Sequence, residues 1–97
     1  MKALATIALI FAASACSTSK TTLTDSGKEV QLFPNKPGQE CNVVGKVVGE
    51  NEQGSPDLAR NHARNLAGKL KANGIFINQE VPNGGVIKVY ATAYQCE

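Results

Sequence analysis

The chain has 97 residues, with ten Lys and Arg against eight Asp and Glu, a single His, no Trp, and five Phe and Tyr together. That length holds one small domain. The near balance of charge excludes a phosphate-tracking basic surface, and the scarcity of aromatic side chains excludes a base-stacking platform, so no nucleic-acid partner is expected.

Residues 1–15 carry one early positive charge, Lys2, then an apolar run, and end in Ala13-Ser14-Ala15 before Cys16. The run is too short to span a bilayer, which takes roughly 20 apolar residues, and has the size of a signal-peptide core. Ala13 and Ala15 fit ordinary A-x-A cleavage, which gives a soluble periplasmic protein beginning at Cys16. The same residues resemble the lipobox of bacterial lipoproteins, with Ala13 standing where Leu is usual. On that reading the Cys16 thiol is acylated, which removes an odd thiol from an oxidising compartment. The lipid-anchored reading is the one carried forward. Ser17 resembles the residue that follows the acylated cysteine in outer-membrane lipoproteins of enteric-type hosts. The expected organisation is a signal peptide over 1–15, a lipid anchor and flexible tether over 16–28, and a single domain over 29–97. The expected location is the outer membrane, facing the periplasm.

Residues 17–28 are rich in Ser, Thr, Lys and Gly and read as the tether. Residues 29–33 alternate polar and apolar and form a short strand that can add at a sheet edge; Pro34 stops it. Pro37-Gly38 marks a turn. Residues 42–49 (NVVGKVVG) are a first core strand, in which Gly45 and Gly49 signal a bulge or the close approach of another backbone. Ser55-Pro56-Asp57 starts a helix, with Ser as N-cap, Pro at the first helical position and Asp at the positive end of the dipole. The helix is predicted over 56–73, with Gly74 as its stop. Its apolar face is Ala59, Ala63, Leu66, Ala67 and Leu70, small enough for a close approach to a sheet. Gly68 lies on the far side, where it costs about 1 kcal/mol relative to Ala. Residues 75–81 form a second core strand, 82–85 (PNGG) a turn, and 86–96 a third. In the third, Ile87, Val89, Ala91 and Ala93 share a core face, and Lys88, Tyr90, Thr92 and Tyr94 a wetter one.

With Cys16 acylated, Cys41 and Cys96 remain, and two cysteines in an exported small domain read as a disulfide. Two free thiols are the alternative. A metal site is not expected, because the chain has no C-x-x-C and His62 is its only other soft ligand. Such a bridge contributes roughly 4 kcal/mol in chain-entropy terms. A right-handed crossover makes the first two core strands parallel, and the PNGG turn makes the last two antiparallel. Pairing the first with the third brings Cys41 to Cys96. The fold is therefore α+β: one helix packed on a small mixed sheet of three core strands, order 1-3-2, plus a short edge strand, stapled by one disulfide.

Ala59-Arg60, Asn65-Leu66-Ala67, Lys69 to Asn73 and the apolar run from Ile75 resemble the Rcs stress-sensor lipoprotein family of Gram-negative envelopes. The whole layout is similar to an uncharacterised family of small envelope lipoproteins of that fold. It carries a P-G-x-E-C segment (Pro37, Gly38, Glu40, Cys41), an A-x-N-x-x-R-N helix (Ala59, Asn61, Arg64, Asn65) and a Y-x-C end (Tyr94, Cys96). The resemblance implies a disulfide-bonded α+β domain with an envelope role. The sensor carries two bridges and a long Pro-rich linker used with β-barrel partners; this chain offers one cysteine pair and a short Ser/Thr-rich segment.

No catalytic constellation assembles in the sequence. His62 falls at roughly 40° on the helix wheel, at the border of the apolar face, where it covers Leu66. Gly45, Gly49 and Gly54 match no phosphate-loop spacing, and Glu50 and Glu52 lack the ligand set of a Ca²⁺ loop. Arg60, Arg64 and Lys71 fall in a narrow sector, at about 200–240° on the wheel. Two functions follow. The first is a non-enzymatic, cofactor-free lipoprotein with a structural or stress-sensing role through an envelope protein partner. The alternative is a module that binds an anionic lipid headgroup, lipopolysaccharide or peptidoglycan through Arg60, Arg64 and Lys71.

Overall fold

A computed structural model describes residues 19–97. The signal peptide, Cys16 and Ser17 lie outside the described residues. The elements in chain order are α1 (Asp25–Lys28), β1 (Gln31–Leu32), β2 (Cys41–Asn51), α2 (Pro56–Lys69), β3 (Gly74–Asn83) and β4 (Val86–Cys96). They build the α+β fold read from the sequence, with α2 packed on one four-stranded mixed sheet. The strand order is β1-β3-β4-β2. β4 runs antiparallel to both β2 and β3, so the two strands joined by α2 are parallel, and β1 adds parallel to β3 at the far edge. The three core strands thus stand in the order first, third, second.

The core lies between α2 and one face of the sheet. Ala59, Ala63 and Ala67 are fully buried against Val47, Ile75, Val89, Ala91 and Ala93. A small helix face lets the two backbones come close, and Gly49 completes the fit. A Cβ on Gly49 would overlap the Ala59 carbonyl and the Ala63 amide. Ser55 caps α2, its side chain accepting from the Leu58 N–H at 3.2 Å, with Pro56 behind it. The β3–β4 hairpin closes on Gly84 and Gly85, both at positive φ (59° and 91°), as a two-residue turn of the I′ kind requires.

Leu70, read as part of the apolar face of the helix, is exposed, and three further details differ from the sequence reading. The helix stops at Lys69, because Lys71 takes a positive φ of 65°. The Lys71 N–H then bonds to the Gly68 carbonyl at 3.0 Å and the Ala72 N–H to the Ala67 carbonyl at 3.1 Å, the paired closure of a Schellman cap. Gly74, read as the stop, is the first residue of β3. Its bare Cα seats the Phe33 ring, which a side chain there would overlap. Second, the wetter face of β4 is wet only in part. Tyr90 is exposed, but Thr92 and Tyr94 are buried. The Thr92 hydroxyl bonds to Asn78 at 2.9 Å, and Phe33 lies over Tyr94 with ring centroids 6.3 Å apart. Third, residues 20–28, read as tether, are folded onto α2.

Candidate functional site

The joint between the N-terminal segment and α2 is built around Asn65. This side chain is buried and makes four hydrogen bonds. Its Nδ2 donates to the carbonyls of Lys20 (2.9 Å) and Thr22 (2.8 Å). Its Oδ1 accepts from the Thr24 N–H (2.9 Å) and hydroxyl (3.2 Å). All four valences of the amide are used, which fixes its orientation. Thr24 in turn caps α1, accepting from the Gly27 N–H at 2.9 Å. Gly27 packs on Asn65 and Gly68 packs on Ser26; a Cβ on either would overlap the other helix. Gly68 had no evident role in the sequence. Its role is a contact with α1, an element whose four residues of DSGK carry no apolar signal.

Arg64 extends the joint. Its Nε donates to the Val30 carbonyl at 2.8 Å, and Val30 is fully buried in the core. Lys20 lies across the end of β2, its ammonium 3.0 Å from Glu50 and 2.5 Å from Glu52. Those contacts raise the Lys20 pKa and lower that of Glu52, by direct hydrogen bonding in both cases. His62 sits beside them. Its Nδ1 accepts the Glu50 N–H at 2.9 Å, so the ring closes one backbone group on the free edge of β2. Burial, helped by the nearby Lys20 charge, lowers the His62 pKa below its ordinary value. The sequence reading placed His62 at the border of the apolar face, and it is half-buried there; its bond to β2 was not legible.

Of the three residues read as a basic stripe, two have partners within the domain. Arg60 forks onto Glu80 of β3, Nε to Oε2 at 2.5 Å and Nη2 to Oε1 at 2.9 Å, and also meets Asp57 at 3.0 Å. Arg64 is engaged with backbone, and Lys71 lies beyond the helix end. Glu80 was the missing partner, because strand and helix are brought together only by the crossover.

At the opposite end, Cys41 and Cys96 form the disulfide, with Cα atoms 4.0 Å apart as direct partners in the β2–β4 register. An open groove of about 650 Å³ runs beside it, lined by Phe33, Pro34, Pro37, Glu29, Glu40 and Glu97 among others. Of the motif residues, Pro37, Gly38, Glu40, Cys41 and Cys96 line that groove, and the Gly38 carbonyl accepts the Cys41 N–H at 3.2 Å. Tyr94, Ala59 and Asn65 are buried. Comparison with protein-family models, curated proteins and solved structures finds no match.

Proposed function

We propose that the chain is a non-enzymatic envelope lipoprotein, anchored through an acylated Cys16, whose stapled domain works by contact with envelope proteins close to the membrane. The observation that carries this reading is the Asn65 joint. It holds the chain from Lys20 onward on α2, so three residues lie between the first fixed position and Cys16. The four Cα-to-Cα steps that this makes reach about 14 Å when extended. A domain held on so short a lead suits a role at the membrane surface. It suits less well the role of a sensor that reaches outward on a long linker. The alternative, an anionic ligand on the α2 stripe, has against it that both guanidinium groups are already paired.

The test is fractionation of the full chain and a Cys16→Ser variant expressed in a Gram-negative host. The proposal expects the parent chain in the membrane fraction and the variant lost from it or left unprocessed. Equal, fully soluble recovery of both sinks the lipoprotein reading.

A further inference from the structure

Among the described residues, six large apolar side chains are exposed, and five of them lie on or beside the β2 edge, Val48 and Tyr90 on the sheet face away from α2 and Leu70 on the α2 side. Val43, Val44 and Val48 lie on β2, the free edge of the sheet. Tyr90 is the β4 partner of Val48. Leu70 reaches over Gly45, where its methyl stands 2.9 Å from the position a Cβ would take. The sixth, Leu32, is on β1 at the opposite edge.

Three lysines at this edge are unpaired. Lys46 follows Gly45, and Lys69 and Lys71 flank Leu70. None of the three has an acidic partner among the described residues. Of the acids nearby, Glu50 and Glu52 are both held by Lys20, and Glu40 stands at the start of the strand beside the disulfide. A long edge strand that exposes Val43, Val44 and Val48 is a surface that can take a cover. The chain itself points to what covers it. Lys20 crosses the end of this same strand, and Ser19, Lys20 and Lys69 line one shallow cavity with His62 and Leu66. The chain therefore enters the domain at the β2 edge, on its α2 side.

We infer that the β2 edge is a membrane seat. Val43, Val44, Val48, Tyr90 and Leu70 rest in the headgroup zone of the bilayer that holds the anchor, and Lys46, Lys69 and Lys71 meet its anionic headgroups. This rests on the anchored reading above. Apolar side chains with a ring of lysines are the composition that binds an interface without spanning it. The lysines act over a Debye length, so the seat weakens in salt.

The absence of Trp provides the test. Val48→Trp and Leu32→Trp each place a single tryptophan, excited selectively over Tyr90 and Tyr94, in the full chain, at the seat and at the far edge. The chains are isolated from membranes and reconstituted into vesicles of phosphatidylcholine and phosphatidylglycerol carrying brominated acyl chains. Intact mass reports the lipid on each preparation. The inference expects strong quenching of Val48→Trp, little of Leu32→Trp, and loss of the difference when Lys46, Lys69 and Lys71 are all changed to Gln. Acylated chains that co-float with vesicles but quench equally at both positions overturn the seat and leave the anchor standing. Chains without lipid that still show the difference keep the seat and remove the anchor.

Discussion

Asn73 pairs with Cys96 as one strand residue pairs with another. Its Nδ2 donates to the Cys96 carbonyl at 2.8 Å, and its Oδ1 accepts the Cys96 N–H at 2.9 Å. The Asn73 N–H bonds to the Tyr94 carbonyl at 2.9 Å, so a residue just before β3 extends its ladder along β4. Both backbone groups of Cys96 thus face Asn73. The link to Cys41 on the other side is the disulfide, which closes the terminal pair where no backbone bond from Cys96 can.

Removing that amide leaves a peptide N–H and C=O without partners at the end of the central strand. Asn73→Ala is expected to cost about 2 kcal/mol in chemical denaturation, within the usual range for unsatisfied backbone groups. Amide exchange at Cys96 should accelerate more than exchange at Val89. Unchanged exchange at Cys96 would show that the side-chain pairing holds nothing in place.

Reduction of the disulfide should lower stability by about 4 kcal/mol, given a separation of 55 residues between the cysteines. The same loss is expected for a Cys41→Ala, Cys96→Ala double variant. Equal denaturation midpoints with and without reductant would contradict it.

The N-terminal joint is expected to open separately from the core. Asn65→Ala, or Gly68→Ala with its new methyl against Ser26, should release residues 20–28 while the β2–β4 pairing stays protected. Limited trypsin digestion then cuts at Lys20 and Lys28 in the variants and leaves them intact in the parent. Gly49→Ala is the contrasting case. Its methyl meets α2 backbone, and the whole domain should lose about 3 kcal/mol, as overpacked cores do.

The architecture was legible because its signals are local. Ser55-Pro56-Asp57 states the start of α2, the alternation of Ile87, Val89, Ala91 and Ala93 states which face of β4 is buried, and two cysteines at strand ends state the pairing. What escaped was set by contacts between distant segments. The stretch 17–28 has the composition of a tether, and contacts with Asn65, Gly68 and the end of β2, far away in sequence, make residues 20–28 part of the domain. Arg60 and Arg64 look like a solvated stripe until Glu80 and the Val30 carbonyl are brought beside them. Gly74 reads as a helix stop, and the ring that requires it lies on Phe33, in a different segment.

His62 gives the fold a pH dependence of definite sign. Its Nδ1 accepts a backbone N–H, so the bond needs the neutral ring, and burial lowers the folded-state pKa. The unfolded chain then binds the proton more readily. The contribution of His62 is complete above about pH 6.5, the ordinary value, and is lost as the pH falls through the lower folded-state pKa. Stability measured from neutral to mildly acid pH should fall in the parent chain and be flatter in His62→Gln. Parallel slopes in the two proteins would contradict the assignment.

The central claim is a stapled domain held on a short lead from an acylated Cys16, and intact mass of the chain from the membrane fraction, with and without reductant, tests it most directly. The account predicts a chain that begins at Cys16, carries the added mass of its lipid, and gains two hydrogens on reduction as the bond between Cys41 and Cys96 opens. A soluble chain of unmodified mass, or one whose cysteines alkylate freely before reduction, would contradict it.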